Sequence, residues 1–329
     1  MARHITIKVE TWPLKQRFAI ARGSKVDADV ICVEIEENGF LGRGEAVPYA
    51  RFGETLETAS ASIEALMPSL KAGMTREDLS QALLPGAARN ALDCALWDLA
   101  AKQSGERAYV TAGISALRPI TTAFTIGLDD ADRMAIMAVK AQVYPLLKIK
   151  LGGPEGVMAD LTRLSAVAEA RPDAQLVVDA NEGWQVGELA RYAEALGRYG
   201  VLFFEQPVPQ AQESELSKID LPFCADESVH DRHDIDAMGD AYSWVNIKLD
   251  KAGGLTEALA CVEMARARRK KIMVGCMVAT SLSMAPAFMV AQHADLVDLD
   301  GPLWLAQDRD PGLVFDGASL HPPSADIWG

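Results

Sequence analysis

Apolar and polar positions change their rhythm once along this chain. In the first third, Ile5–Val9 and Val30–Glu36 alternate with period two, which predicts half-buried strands. Asn38-Gly39 then supplies the positive φ angles of a tight hairpin turn into a third strand, Phe40–Glu45. Two helical stretches follow. One runs from about Thr55 to Lys71. The other, about Ala87 to Gln103, carries Ala91, Leu92, Ala95, Leu96 and Leu99 at helical spacing and stops before Gly105. Phe18 to Asp29 shows no periodicity and is expected to be a loop. The reading is a small α+β unit.

From about Thr121 short apolar runs alternate with helical stretches: TTAFTIG, LLKIKL, QLVVDA, LFFEQ, FCADES, WVNIKL, IMVGCM and LVDLDG. Each is rich in strand formers and closes on a polar residue. The markers Lys150, Asp179, Glu205, Asp226, Lys248, Cys276 and Asp298 lie 21 to 29 residues apart. A strand, a helix and two short loops occupy roughly 20 to 30 residues, so eight such units predict a parallel β/α barrel. An open doubly wound sheet is the alternative, and the G-x-G-x-x-G turn that would favour it is missing.

Asp179, Glu205 and Asp226 each end an apolar run, so three consecutive strands deliver three carboxylates to one mouth. Taken singly, each could as well be a loop residue or a helix N-cap. Together they repel unless a cation sits among them, and all-oxygen ligation suits a hard ion, Mg²⁺ before Mn²⁺. In Lys148-Ile149-Lys150 both lysines face the barrel interior and Ile149 packs outward. Their mutual repulsion and a nearby Mg²⁺ are expected to lower a lysine pKa towards neutrality, which makes a usable base. Lys248 stands four strands from Lys150, across the ring, as a second base. Asp298 and Asp300 end the eighth strand on one face, where they suit a cationic group such as a substrate ammonium.

Composition narrows the function. At 49% hydrophobic and 24% charged the 329 residues can bury a large core, and a net charge of −14 with no basic stripe argues against nucleic acid. Five scattered cysteines without a C-x-x-C pair fit free thiols in a reducing cytosol, and the N-terminus lacks the apolar run of a secretory signal. Ile272 to Ala291 is uncharged and long enough to span a bilayer, but Gly275, Thr280, Ser281, Ser283 and Pro286 suit a buried strand, loop and core helix better.

Taken together, KIK, DAN, EQP, ADES, NIKLDKAGG and DLDGP resemble the enolase superfamily in its muconate-lactonising subgroup, and among its members the dipeptide epimerases. The resemblance extends over nearly the whole chain, including ARNALDCALWDLAAK. It implies an α/β fold, a (β/α)7β TIM-like barrel over residues 113–305. An N-terminal α+β capping domain would cover it, formed by residues 1–112 with 306–329 returning to it. It implies Mg²⁺, a small dipeptide such as L-Ala-D/L-Glu as substrate, and murein peptide recycling in the cytoplasm; it admits a homo-oligomer. On this resemblance Asp298 and Asp300 would bind the dipeptide's ammonium group, Arg22 the glutamate side chain with Lys25 as a second choice, and Thr125 would line the same pocket. Strand seven ends in Gly275-Cys276-Met277, without the histidine base of the sugar-acid dehydratases.

The implied reaction inverts the α-carbon of the C-terminal residue. Asp179, Glu205 and Asp226 would hold the metal that compensates the enediolate charge, and Lys148 would add a further positive charge. Lys150 and Lys248 would exchange protons with opposite faces of the carbon. The alternatives within the subgroup are an N-acylamino acid racemase, an o-succinylbenzoate synthase or a cycloisomerase, whose substrates would leave Asp298 and Asp300 without an ammonium partner. Outside catalysis, the alternative is a metal-dependent binding protein that has kept the barrel.

Overall fold

The computed structural model describes residues 3–329. Strands β1 (His4–Ile20), β2 (Gly23–Glu37) and β3 (Phe40–Ala46) form an antiparallel sheet in that order. Asn38 and Gly39 take φ of 55° and 83°, the two left-handed positions the hairpin requires. Ile31, Val33 and Ile35 on the buried face of β2 share a core with Leu92, Ala95 and Leu99 of the helix Ala87–Ser104. That helix lies close on β3 because Gly42 and Gly44 carry no side chain. A Cβ on Gly44 would stand 2.7 Å from Ala95 N and closer still to Ala91 O. Gly44→Ala is therefore expected to lose about 1–3 kcal/mol or more of stability through overpacking, read as a lower urea midpoint.

The expected loop from Phe18 to Asp29 is instead the distal part of the β1–β2 hairpin, with Phe18 opposite Lys25 and Ile20 opposite Gly23. Ala28 alone in this arm is buried and half of its residues are exposed, so neither face demanded an apolar period. Backbone pairing and attachments to the barrel hold it: Leu128 N donates to Ala19 O at 2.9 Å, and Phe18 packs edge-on against Trp304. The stretch from Thr55 to Lys71 is two helices, Leu56–Ala65 and Met67–Lys71, separated at Leu66. Pro68 sits in the first turn of the second, where a missing N–H is tolerated and a continuous helix is not.

Eight parallel strands follow in sequence order: β5 (Phe124–Ile126), β6 (Leu146–Lys150), β7 (Gln175–Asp179), β8 (Phe204–Glu205), β9 (Phe223–Ala225), β10 (Tyr242–Ile247), β11 (Lys271–Gly275) and β12 (Leu296–Asp298). The seam between last and first closes through Ala123 N to Val297 O at 2.8 Å and Thr125 N to Asp300 Oδ2 at 2.7 Å. This is a barrel, and the open-sheet alternative falls away. Ala123, Leu146, Val177, Phe203, Cys224, Trp244, Met273 and Leu296 form one buried apolar cluster, a floor with one residue from each strand or its lead-in.

Ahead of the barrel, β4 (Ile120–Thr121) pairs with β14 (Ser319–Leu320), which pairs in turn with β13 (Phe315–Asp316). The chain end then packs on the helix Ala87–Ser104, with Trp328 Nε1 donating to Cys94 O and Gly329 N to Asp98 Oδ1. The uncharged stretch is β11 plus the wholly buried helix Ser281–Ala291. Among the described residues no helix is long and apolar enough to cross a membrane. All five cysteines are free.

Candidate active site

Side chains two apart on a strand share a face, so the floor dictates what stands above it. Two residues beyond each floor position come Thr125, Lys148, Asp179, Glu205, Asp226, Asn246, Gly275 and Asp298. The strand ends thus convert an apolar layer into a polar one. Asp179, Glu205 and Asp226 are buried, and each offers an oxygen within 4.8 Å of the others.

The lysines hold this triad at its two ends. Lys150 Nζ donates to Asp179 Oδ2 and Lys248 Nζ to Asp226 Oδ2, each at 2.6 Å. The two strands are four apart in the ring, so the amines approach from opposite sides. Lys148 lies deeper, 2.8 Å from Glu205 Oε2, 3.1 Å from Asp298 Oδ2 and 3.4 Å from Asp179 Oδ2. Lys251, in the short helix Leu249–Ala252, donates to Asp226 Oδ1 at 2.7 Å, and Asn246 Nδ2 to Glu205 Oε1 at 2.7 Å.

Burial by itself would raise all three acids, and the lysines decide which escape. Lys150 and Lys148 hold Asp179 down at about 2, and Lys248 with Lys251 holds Asp226 well below its ordinary range. Burial and the neighbouring Asp179 push Glu205 up to about 8 against the pull of Lys148. In the metal-free chain the balance at Lys148 and Lys248 runs upward, not in the direction expected for a lysine beside Mg²⁺. Burial lowers both, but Glu205, Asp298 and Asp179 outweigh it at Lys148, and Asp226 outweighs it at Lys248, so both are raised. Repulsion between ammonium groups is the smaller effect beside carboxylates in contact.

The donor set fits a hard divalent cation. Glu205 Oε2 is near Lys148 Nζ but receives no hydrogen bond, and it is buried beside two further carboxylates. An oxygen in that position has its charge only partly compensated by the protein.

Beyond the triad, Asp298 and Asp300 are both buried but unlike in their partners. Asp298 ends β12, pairs with Lys148 and leaves Oδ1 without a hydrogen bond. Asp300 lies past the strand end, where Thr125 N and Trp304 Nε1 donate to its Oδ2; burial, then Asp298, push its carboxyl up to about 7. Thr125 is buried on β5. Arg22 occupies the tip of the β1–β2 hairpin and reaches the barrel mouth. Its Nη1 donates to Asn181 O at 2.7 Å, and its Nη2 to Glu227 Oε1 at 2.6 Å and to the Tyr49 hydroxyl. Lys25 is not brought to the site. It is exposed on β2 opposite Phe18, and its side chain makes no ion pair among the described residues.

Tyr49, Asn181, Glu227, Asn246, Lys251 and Trp304 were not anticipated. Asn246 had a readable signal, since it stands two before Lys248 on one strand face. Glu227 follows Asp226 directly. Tyr49 comes from the segment after β3, and nothing in its surrounding sequence points to the barrel.

A closed barrel whose strand ends hold three buried carboxylates between two facing lysines defines the enolase-type class of α/β barrel proteins. Residues 130–326 match the enolase C-terminal domain-like family, and residues 2–109 the N-terminal domain of mandelate racemase and muconate lactonizing enzymes. The chain belongs to the mandelate racemase/muconate lactonizing family of the enolase superfamily. It is 44% identical to the L-Ala-D/L-Glu epimerase of Escherichia coli (strain K12), over 96% of this chain and 99% of that one. It is 38% identical to the N-acetyl-D-glutamate racemase of a Pseudoalteromonas species, over 91% and 95%. A solved enolase family member from Agrobacterium tumefaciens, with bound sodium and L-Ala-L-Glu, superposes with a TM-score of 0.96 at 45% identity, covering 99% and 100%. A dipeptide epimerase from Enterococcus faecalis V583, complexed with Mg and L-Leu-L-Tyr, gives 0.90 at 28% identity, covering 98% of each chain.

Proposed function

We propose that this chain is an isomerase, a Mg²⁺-dependent L-Ala-D/L-Glu epimerase that inverts the α-carbon of the C-terminal residue by proton transfer between two bases. The observation that carries the reading is the pair of lysines in contact with opposite ends of one carboxylate triad. Asp179, Glu205 and Asp226 would hold the ion, and their all-oxygen donor set would take Mn²⁺ as a substitute. When bound, Mg²⁺ acts as a Lewis acid towards the substrate carboxylate. Lys148, buried beneath, adds a fixed positive charge where negative charge grows as the α-proton leaves. Lys150, as the free amine, takes the proton from one face while Lys248, as the ammonium, delivers one to the other. The reverse direction exchanges their roles. Asp298 and Asp300 receive the α-ammonium group, Thr125 walls that side, and Arg22 faces the glutamate carboxylate. Residues 1–112, with the returning 306–329, act as the cap that carries Arg22 over the barrel of residues 113–305. The reading places the protein in the cytoplasm, in recycling of murein peptides.

A second reading, racemisation of an N-acylated glutamate, is favoured by the Pseudoalteromonas relative. One experiment separates the two: turnover of L-Ala-L-Glu, its N-acetyl derivative and N-acetylglutamate in D₂O with Mg²⁺, followed by mass spectrometry. Free L-Ala-L-Glu is expected to give labelled product while recovered substrate stays unlabelled early. The N-acetylated dipeptide is expected to react at least roughly 10²-fold more slowly, because the buried aspartates lose their cation. Equal rates, or faster N-acetylglutamate, would replace the dipeptide reading, and early label in recovered substrate would remove the second base.

A further inference from the structure

Arg22 is surrounded by acids, and they are not equivalent. Glu182 has a second cation, since Arg51 grips it with Nε at 2.6 Å and Nη2 at 2.8 Å. Glu227 has none. Its Oε1 accepts from Arg22 at 2.6 Å and otherwise only from neutral donors, the Tyr49 hydroxyl at 3.4 Å and Asn181 Nδ2 at 3.2 Å. Its Oε2 is buried without any hydrogen-bond partner, and the residue is 5% exposed. Glu227 also follows Asp226 directly, so this carboxylate stands beside the triad, and among the described residues Arg22 is its one ion-pair partner. Arg22, by contrast, rides on a hairpin tip and is exposed enough to meet an incoming group.

We propose that Arg22 and Glu227 form a charge-paired selector for the substrate side chain. In it the guanidinium covers a resident anionic acceptor, and removing that guanidinium turns the site towards dipeptides with a cationic side chain. The inference rests on the proposed dipeptide chemistry and adds a second substrate class to it. The physical argument is compensation. A buried carboxylate stripped of its cation is costly, and a substrate amine can supply what was lost, whereas an apolar side chain cannot. In the native protein the same guanidinium rejects cationic side chains by like charge, so selectivity comes from repulsion as much as attraction.

The test compares L-Ala-L-Lys with L-Ala-L-Leu, each scored by α-proton exchange and by calorimetric binding with Mg²⁺ present. In Arg22→Ala the Lys:Leu ratio of kcat/KM is expected to rise at least about tenfold over the native ratio, with the binding ratio moving alike. In Arg22→Ala/Glu227→Gln the ratio is expected to fall back to near its native value. Arg22→Met, which keeps the bulk of the side chain, should behave as Arg22→Ala. A ratio unchanged in both single variants overturns the proposal, as does a gain that survives Glu227→Gln. Absence of exchange with every dipeptide in the native protein would instead refute the epimerase reading, and the binding ratios would still decide the selector.

Discussion

Lys150→Ala is expected to lower epimerisation of L-Ala-L-Glu and L-Ala-D-Glu alike by at least roughly 10³-fold, within the range that a positioned base contributes. Either direction of the reaction needs both amines, one to take a proton and one to give it. Exchange of the α-proton with solvent needs only one. The variant should therefore still wash deuterium into whichever epimer presents its proton to Lys248, and into that epimer alone. Lys248→Ala should show the mirror pattern. The geometry makes this sharp because each lysine touches a different end of the triad, Lys150 at Asp179 and Lys248 at Asp226, with Glu205 between them. Lys148 cannot stand in as the missing base. It is in the polar layer directly above the apolar floor, engaged by three carboxylates, whereas Lys150 and Lys248 stand at the two ends of the triad. Retained epimerisation in Lys150→Ala, or exchange of both epimers, would discard the two-base assignment; circular dichroism at the substrate band and mass spectrometry in D₂O read both quantities.

The difference between what the chain discloses and what it hides follows the layers of the barrel. Floor and polar layer are local properties: a strand that alternates inward and outward must place Asp179 two residues above Val177 and Glu205 two above Phe203, so the run itself announces its functional end. Lys148 and Lys150 share that logic, and the contacts agree with it. Asp300 breaks it, because β12 has already ended at Asp298, and the two aspartates acquire different partners despite their spacing. Charge balance was less legible than position. Counting Lys148 beside Lys150 suggests repulsion, whereas the fold sets a carboxylate against each of them, and no spacing rule tells how near those acids come.

The hairpin arm is hidden for another reason. Residues 18 to 29 bury only Ala28, so their strand character comes from cross-strand pairing and from Leu128 and Trp304, hundreds of positions away in part. Arg22 was reachable only through family resemblance, and its partners Tyr49, Asn181 and Glu227 arrive from three separate segments. The helix Arg76–Ala82 is too short to show a period, although Thr75 and Asp78 form its reciprocal cap.

Glu205→Gln is expected to separate stability from metal binding in opposite directions. Burial and Asp179 disfavour the Glu205 charge and push its carboxyl up to about 8, far above an unfolded glutamate. A group raised in this way contributes stability below its unfolded pKa and loses it as pH rises towards the folded value, so at pH 7 the metal-free fold holds it largely protonated, at a cost that the ionised unfolded chain does not carry. The amide removes that cost: its oxygen can face Lys148 Nζ, while its NH2 donates to Asn246 once that amide turns to present the Oδ1 that lacks a partner. In chelator, Glu205→Gln should thus melt at or above the native protein. Magnesium should reverse the order: at a hundredfold excess over Kd the native fold gains about 2.7 kcal/mol and the variant little, because it presents two ligating carboxylates instead of three. Activity of the variant should fall by about 10³-fold or more, as expected when several kcal/mol of Lewis-acid stabilisation are lost. Thermal melts with and without Mg²⁺ check the first part and rates the second. A variant destabilised in chelator that still responds to Mg²⁺ would make Glu205 a structural acid and move the metal elsewhere.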